Sequence, residues 1–349
     1  MELWQQRLKQ SITAPRLLAE RFDIDAEGLE KVVERYPMRI TPHYLSLIEE
    51  PGDPIWRQCV PDPLELLDDG GDVDPLNEEN LSPVPGLVHR YPDRALFLVS
   101  GTCAAYCRFC TRKRKVGCPS MKTSFSQVLA GIDYIAENSG INEVILSGGD
   151  PLLMSDLLLG DILDRLRRIP HVEVLRIGSR VPVTLPERIT DKLCALLGRC
   201  QPLYLLTHFN HPREITPETA EACRKMTAAG IPLGNQTVLL RGINDDAAVM
   251  AELFRGLLRI GVRPYYLHQM DLARGTGHFR TRLETGMEIM AALRGRVSGL
   301  AIPHYVIDLP GGKGKAPLLP NYGERREGEL VIEGLGGEKV VYRDDPPWG

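Results

Sequence analysis

From Arg94 to about residue 300 the chain alternates short apolar runs with amphipathic segments. Few folds other than repeated βα units around a parallel sheet accommodate that rhythm. The runs at 95–99, 144–146, 172–177, 203–206, 237–240 and 265–267 read as six strands. The clearest helix sets Val249, Met250, Leu253, Phe254, Leu257 and Leu258 on one face, with Asn244 or Asp245 placed to cap its start and Gly261 to end it. Six such units make an α/β fold, either a partial (β/α)6 TIM-like barrel or an open sheet. In both, chemistry gathers at the C-terminal ends of the strands.

The flanks read differently. Residues 1–85 carry short helical patterns such as 24–33 and a Pro/Asp/Gly-rich stretch over 51–85, the texture of a wrapping layer. After about residue 300 the alternation stops. One more apolar run at 305–307 leads into a glycine-rich turn and a terminal hairpin over 330–342, around Gly334-Leu335-Gly336-Gly337. The expected organisation is therefore a wrap over 1–85, a barrel over 86–300 and a C-terminal segment over 301–349.

With 42 basic and 46 acidic side chains, the chain lacks the basic excess of a protein built to bind phosphate backbones, so no nucleic-acid partner is expected. No stretch has the apolar length of a membrane span. The N-terminus, Met1-Glu2-Leu3-Trp4-Gln5-Gln6-Arg7, lacks the apolar run of a secretory signal. A cytoplasmic protein with reduced cysteines is expected. Of its 8 cysteines, Cys194, Cys200 and Cys223 sit in helical patterns as small buried hydrophobes, whereas Cys103, Cys107, Cys110 and Cys118 crowd together.

That crowd follows the first predicted strand as Gly101-Thr102-Cys103-Ala104-Ala105-Tyr106-Cys107-Arg108-Phe109-Cys110, a C-x3-C-x2-C spacing. One loop can present three thiolates at this spacing, and soft thiolates are what iron-sulfur clusters require. Three thiolates leave one iron of a cube without a protein ligand, which implies reactivity rather than electron storage. A zinc site completed by Cys118 or His89 stays open on spacing alone. The loop resembles that of the radical S-adenosylmethionine (SAM) superfamily. The resemblance implies a [4Fe-4S] cluster on Cys103, Cys107 and Cys110, whose open iron binds SAM and whose electron cleaves it to a 5'-deoxyadenosyl radical. Ser147-Gly148-Gly149-Asp150, at the end of the next strand, resembles that family's glycine-rich SAM-binding motif, where glycines let backbone approach a ligand closely.

Near the C-terminus stands Asp308-Leu309-Pro310-Gly311-Gly312-Lys313-Gly314-Lys315. A lysine on such a loop can form a Schiff base with a carbonyl cofactor; the spacing is wrong for a Walker A loop. Taken jointly with 82–94, Thr111-Arg112-Lys113-Arg114, Thr207-His208-Phe209-Asn210-His211-Pro212 and Asn235-Gln236-Thr237-Val238-Leu239-Leu240, the segment resembles the lysine 2,3-aminomutase family from about Tyr36 to Tyr322. That resemblance implies pyridoxal 5'-phosphate (PLP) on Lys315, its phosphate near Arg90, Tyr91 and Arg94, and SAM contacts from His208 and Gln236. It further implies Arg112 as ligand of the substrate carboxylate, and Asp271 and Asp308 as partners of a substrate ammonium.

An unpaired buried charge costs several kcal/mol, so two carboxylates at the far end of the site argue for L-lysine over an acidic amino acid. The implied reaction is interconversion of L-lysine and L-β-lysine by radical amino migration, with a reductant such as flavodoxin or ferredoxin. Lys113, Arg114 and Lys115 read as a solvated basic face. Asp246 stands where longer family members have a cysteine, and no cysteine-bearing tail follows the hairpin, so their structural zinc is expected absent and the homo-oligomeric state is left open. Two rivals are a PLP-independent radical enzyme acting on RNA or protein, and a zinc-stabilised binding module. The same chemistry on another amino acid, or on lysine for elongation factor P, is the nearer alternative.

Overall fold

A computed structural model describes residues 2–68, 70–118, 123–326, 329–334 and 336–342. Its main sheet has nine strands in sequential order. They are β1 (Leu87–Tyr91), β2 (Arg94–Ser100), β3 (Glu143–Gly148), β4 (Val174–Gly178), β5 (Leu203–Thr207), β6 (Leu233–Leu239), β7 (Val262–Gln269), β8 (His304–Asp308) and β9 (Lys315–Pro317). Strands β2 through β8 are parallel, while β1 and β9 close the two edges as antiparallel neighbours. A separate antiparallel sheet holds β10 (Gly323–Arg326), β11 (Glu329–Glu333) and β12 (Lys339–Tyr342). The expected hairpin is β11 with β12, and Leu335 of its turn lies outside the described residues.

The N-terminal region forms α1 (Leu3–Lys9), α2 (Pro15–Ala19), α3 (Ala26–Arg35), α4 (Pro42–Leu45), α5 (Trp56–Cys59) and α6 (Leu64–Leu67). The sheet's crossovers are α7 (Phe125–Glu137), α8 (Asp156–Arg167), the short α9 (Val181–Thr184) with α10 (Asp191–Gly198), α11 (Pro217–Ala228), α12 (Ala247–Arg259) and α13 (Leu283–Leu293). Six crossovers reproduce the six βα units read from the rhythm. Trp4, Leu18, Leu29, Tyr44 and Ile55 of the wrap share one continuous core with the strands and crossover helices. Among the described residues no helix is long and apolar enough to cross a membrane.

Three expectations change. The run at 305–307 is part of a seventh parallel strand, β8, so the sheet crosses the expected division at residue 300. Strand β6 starts at Leu233, four residues before the expected run, because Asn235 hides it. That buried amide accepts from Phe209 N (2.7 Å) and donates to Phe209 O (3.0 Å), so a polar residue satisfied by the next loop reads as non-strand. The cap of α12 is Asp246, whose carboxylate accepts from Ala248 N and Val249 N, while Asn244 bonds Asn210 O and Asp245 accepts from Gly242 N. Gly261 follows that helix at φ +75°, as expected of a terminating glycine.

Side-chain alternation makes the sheet two-faced. Ala95, Phe97, Val144, Leu146, Leu175, Ile177 and Leu205 pack under the helices. Their neighbours Leu96, Ile145, Arg176, Leu206, Gln236 and Tyr266 line a cavity of about 480 Å³ on the other face. Since the side-chain period is two, this split is fixed by register.

Candidate active site

The cysteine loop leaves β2 and is held from outside by the wrap. Tyr106 N donates to Arg39 O (3.0 Å), Arg108 N to Gln58 O (2.9 Å), and Arg39 Nη1 to Cys103 O (3.1 Å). Cys103, Cys107 and Cys110 are free thiols, each partly exposed. Burial and then Cys107 push the Cys110 thiol up to about 11, and burial followed by Cys110 pushes Cys103 well above the ordinary range. The three sulfurs thus repel one another as thiolates, which is the donor chemistry that bound iron relieves. Among the described residues, no three His, Cys, Asp or Glu side chains surround a single-ion site; a cube distributes three thiolates over three irons. His89, the other zinc candidate, bonds Tyr134 Oη through Nδ1 (3.0 Å), and Cys118 contacts the Arg114 carbonyl.

Gly148 has φ +122°, and a Cβ there would lie 2.2 Å from Ser100 O; at Gly149 it would lie 2.5 Å from Thr102 O. These glycines let the β3 loop press against the start of the cysteine loop, with Gly149 N donating to Ser100 O (2.6 Å) and Asp150 N to Thr102 O (2.7 Å). The close approach is therefore made to the chain's own backbone. Asp150 is buried and its carboxylate accepts four bonds, from Leu152 N, Ser179 Oγ, Arg180 N and Val181 N. Burial holds its carboxyl up at about 6 against those bonds. Sequence reasoning placed Asp150 at a ligand; here it organises the loop after β4.

That loop delivers a residue sequence reasoning missed. Arg180 Nη1 donates to Cys107 Sγ (2.8 Å), its Nη2 reaches Tyr44 Oη, Gln58 Oε1 and Glu214 Oε1, and its Nε donates to His208 O. The available signal was its position two residues beyond the end of β4, where polar side chains in this architecture meet ligands. His208 stacks on Phe109 of the cysteine loop at 5.5 Å, and its buried Nε2 has no partner among the described residues. Burial, then Arg180, holds His208 well below the ordinary histidine range, so it is neutral. Gln236 lines the cavity and its Oε1 meets His268 Nε2 at 3.3 Å.

At the cavity's other end Asp308, on β8, is ion-paired with Lys315 Nζ, with Arg90 Nη1 3.4 Å and His268 Nδ1 3.6 Å away. Burial would raise Asp308, but His268 and Lys315 hold its carboxyl at about 2. Asp271 carries the opposite balance: burial, then the neighbouring Asp308, push it up to about 7. Lys315 is 32 % exposed at its side chain and lines the cavity; its backbone N donates to Tyr91 Oη (3.1 Å). Arg94 pairs with Asp93 at 3.0 Å and lies over the Tyr91 ring. Arg176, another residue missed in the sequence, enters from β4 paired with Glu143. Among the described residues Arg90 Nε and Arg176 Nε are buried without partners, and both side chains line a cavity that has room for a phosphorylated cofactor. Tyr265 and Tyr266, with rings 4.0 Å apart, form an aromatic wall beside them.

Arg112 also lines this cavity and meets Glu78 and Ser147 there. The three basic residues after it are not a solvated face. Lys113 is buried against Glu65 and donates to Arg108 O and Gly275 O, Arg114 pairs with Asp74 and Glu79, and Lys115 pairs with Glu79. Acidic residues of the 51–85 stretch neutralise this run, which the sequence pattern alone did not reveal.

A thiol triplet over the C-terminal ends of a parallel sheet defines a radical SAM domain, and residues 97–254 match the family model described as the radical SAM superfamily. Such a domain implies a [4Fe-4S] cluster and SAM. Residues 290–342 match the model described as lysine-2,3-aminomutase. The L-lysine 2,3-aminomutase of Fusobacterium nucleatum is 47 % identical, covering 91 % of this chain and 76 % of that protein; that of Clostridium subterminale is 50 % identical, covering 88 % and 75 %. The glutamate 2,3-aminomutase of Clostridioides difficile is 45 % identical, covering 93 % and 77 %. The chain belongs to the lysine 2,3-aminomutase family.

Proposed function

We propose that this chain is an isomerase interconverting L-lysine and L-β-lysine, with PLP held by Lys315. The observation that carries the choice of lysine is Asp308, which lines the same cavity as Arg112 and Lys315 and has a second carboxylate, Asp271, as its electrostatic neighbour. A site that offers carboxylates as well as a guanidinium complements an amino acid bearing a terminal cation, and its carboxylates repel glutamate. The cluster and SAM together supply a hydrogen-abstracting radical, and PLP supplies the π-system across which the nitrogen moves.

The chain's own residues do the rest. Cys103, Cys107 and Cys110 hold the cluster, while His208, Gln236 and the Ser147-Gly148-Gly149 segment form the SAM side. Arg90, Tyr91 and Arg94, joined by Arg176, take the phosphate. Arg112 binds the α-carboxylate, and Asp271 and Asp308 bind the ε-ammonium. Tyr265 and Tyr266 keep water from the reacting carbons. A one-electron donor of the flavodoxin or ferredoxin kind would supply the electron that the cluster needs.

Anaerobic incubation with lysine, SAM, PLP and a reductant is expected to yield β-lysine; turnover of glutamate but not lysine would overturn the assignment. Lys315→Ala is expected to lose the visible absorbance of protein-bound PLP, and retention would move the linkage to Lys313. A pH dependence follows from the carboxylate pair. Asp308 is ionised at any working pH, but Asp271, facing Asp308, Lys315, Arg90 and Glu78, titrates near 7. A cation binds the ionised form, so lysine affinity should rise as pH rises through about 7 and level off above it. Calorimetric titration of the PLP-loaded protein between pH 6 and 8.5 tests this, and Asp271→Asn should remove the slope.

A further inference from the structure

Arg112 has a buried partner in Glu78. Glu78 is 4 % exposed and engages one side of the guanidinium, accepting from Nε at 2.9 Å and from Nη2 at 2.6 Å. The remaining nitrogen, Nη1, makes only long contacts, 3.5 Å to Ser147 Oγ and 3.4 Å to Gly148 O. Glu78 cannot easily swing away. The segment carrying it is tied to three other parts of the site: Arg90 Nη2 donates to Leu76 O (2.8 Å), Gly311 N to Pro75 O (3.3 Å), and Asp72 N to Leu272 O (2.7 Å). A carboxylate held in this way, buried and with its host segment bonded to the lysine loop, is a fixed part of the site.

From this geometry we infer that Glu78 is a positioning residue for substrate recognition. By engaging the Nε side of Arg112 it turns the Nη1 edge toward the cavity, so the α-carboxylate of the amino acid meets a guanidinium already oriented. This inference rests on the reading of Arg112 as the carboxylate ligand and adds the residue that aims it. Two carboxylates then share one guanidinium from different edges, which its five donors permit. The arrangement also keeps Arg112 neutralised when the site is empty, so no uncompensated charge is buried between turnovers.

The test compares Glu78→Gln and Glu78→Asp with the wild-type holoenzyme, using two ligands that differ only at the carboxylate: lysine and its decarboxylated amine, 1,5-diaminopentane. Calorimetric binding to the PLP-loaded protein and steady-state kinetics are read together, with iron content and protein-bound PLP absorbance as controls for folding. Glu78→Gln should weaken lysine binding and raise KM by about 10- to 100-fold, the range for a charge-assisted hydrogen bond. It should leave kcat within a few-fold and diamine binding unchanged. Glu78→Asp should recover part of the lysine affinity. Tighter lysine binding in Glu78→Gln would show that Glu78 competes with substrate, and equal losses for lysine and diamine would show a merely structural role; either overturns the inference. If wild type prefers a different amino acid, the lysine assignment fails on its own. The same comparison then runs with that amino acid and its decarboxylated amine, leaving the Glu78 question decidable.

Discussion

Asp308→Asn is expected to lower the preference for lysine over its uncharged analogue norleucine by about 10⁴, the scale on which a site built for a polar group rejects a ligand lacking it. The asparagine keeps the shape and removes the charge, so any loss is electrostatic. Asp308 already gathers basic partners within the chain: Lys315 Nζ is paired with it, and Arg90 and His268 approach at 3.4 and 3.6 Å. The carboxylate therefore already accepts one lysine side-chain ammonium. Protein-bound PLP is measured alongside, since Asp308 also contacts Lys315 and Arg90. The measurement is the ratio of kcat/KM for lysine and norleucine in wild type and variant; a ratio preserved within tenfold would remove Asp308 from substrate selection. Asp271→Asn should act in the same direction more weakly below pH 7, where that carboxyl is already partly protonated.

What could be read from the sequence and what could not divide along a physical line. The βα rhythm was legible because each strand's apolar run is local, and the cysteine triplet because its ligands lie within one loop. Lys315, Arg112, Asp271 and Asp308 were placed only through resemblance; the convergence of Lys315, Arg112 and Asp308 on one cavity depends on the sheet that joins β1 to β9. Residues that act through partners far along the chain left no local signature. Glu78 pairs with Arg112 across 34 positions, Arg180 meets Cys107 across 73, and Arg176 meets Glu143 across 33. The acidic 51–85 stretch reads as solvent-exposed because charged residues usually are, yet Glu65 and Glu78 are buried counter-ions. His268 gives no signal in the sequence pattern, although it links Gln236 to Asp308.

The same buried pairing sets the second large expectation, that Glu65→Ala destabilises the chain by about 3–5 kcal/mol and empties the cluster site. Glu65 is fully buried between Arg108, which lies inside the cysteine loop, and Lys113, just beyond it. Arg108 also donates to Pro37 O (2.8 Å) and Tyr36 O (3.2 Å), so this cluster joins wrap to loop. Burial alone would raise Glu65, but Arg108 and Lys113 hold its carboxyl below the ordinary range. Its contribution is therefore full above the unfolded glutamate pKa and lost as pH falls through the folded one. Lys113 stands at about 8 because burial lowers it and Glu65 opposes that. Without Glu65 the lysine can escape its penalty by releasing a proton, whereas the Arg108 guanidinium stays charged and unpaired in the interior. The loss should exceed that of Glu65→Gln, which keeps hydrogen-bond acceptance. A typical domain has 5–15 kcal/mol of stability in all, so the alanine variant should unfold at markedly lower denaturant and incorporate little iron under reconstitution. Denaturation within about 1 kcal/mol of wild type, with full iron content, would mean that solvent or another anion replaces Glu65 and that the cysteine loop is held by its backbone bonds to Arg39 and Gln58 instead.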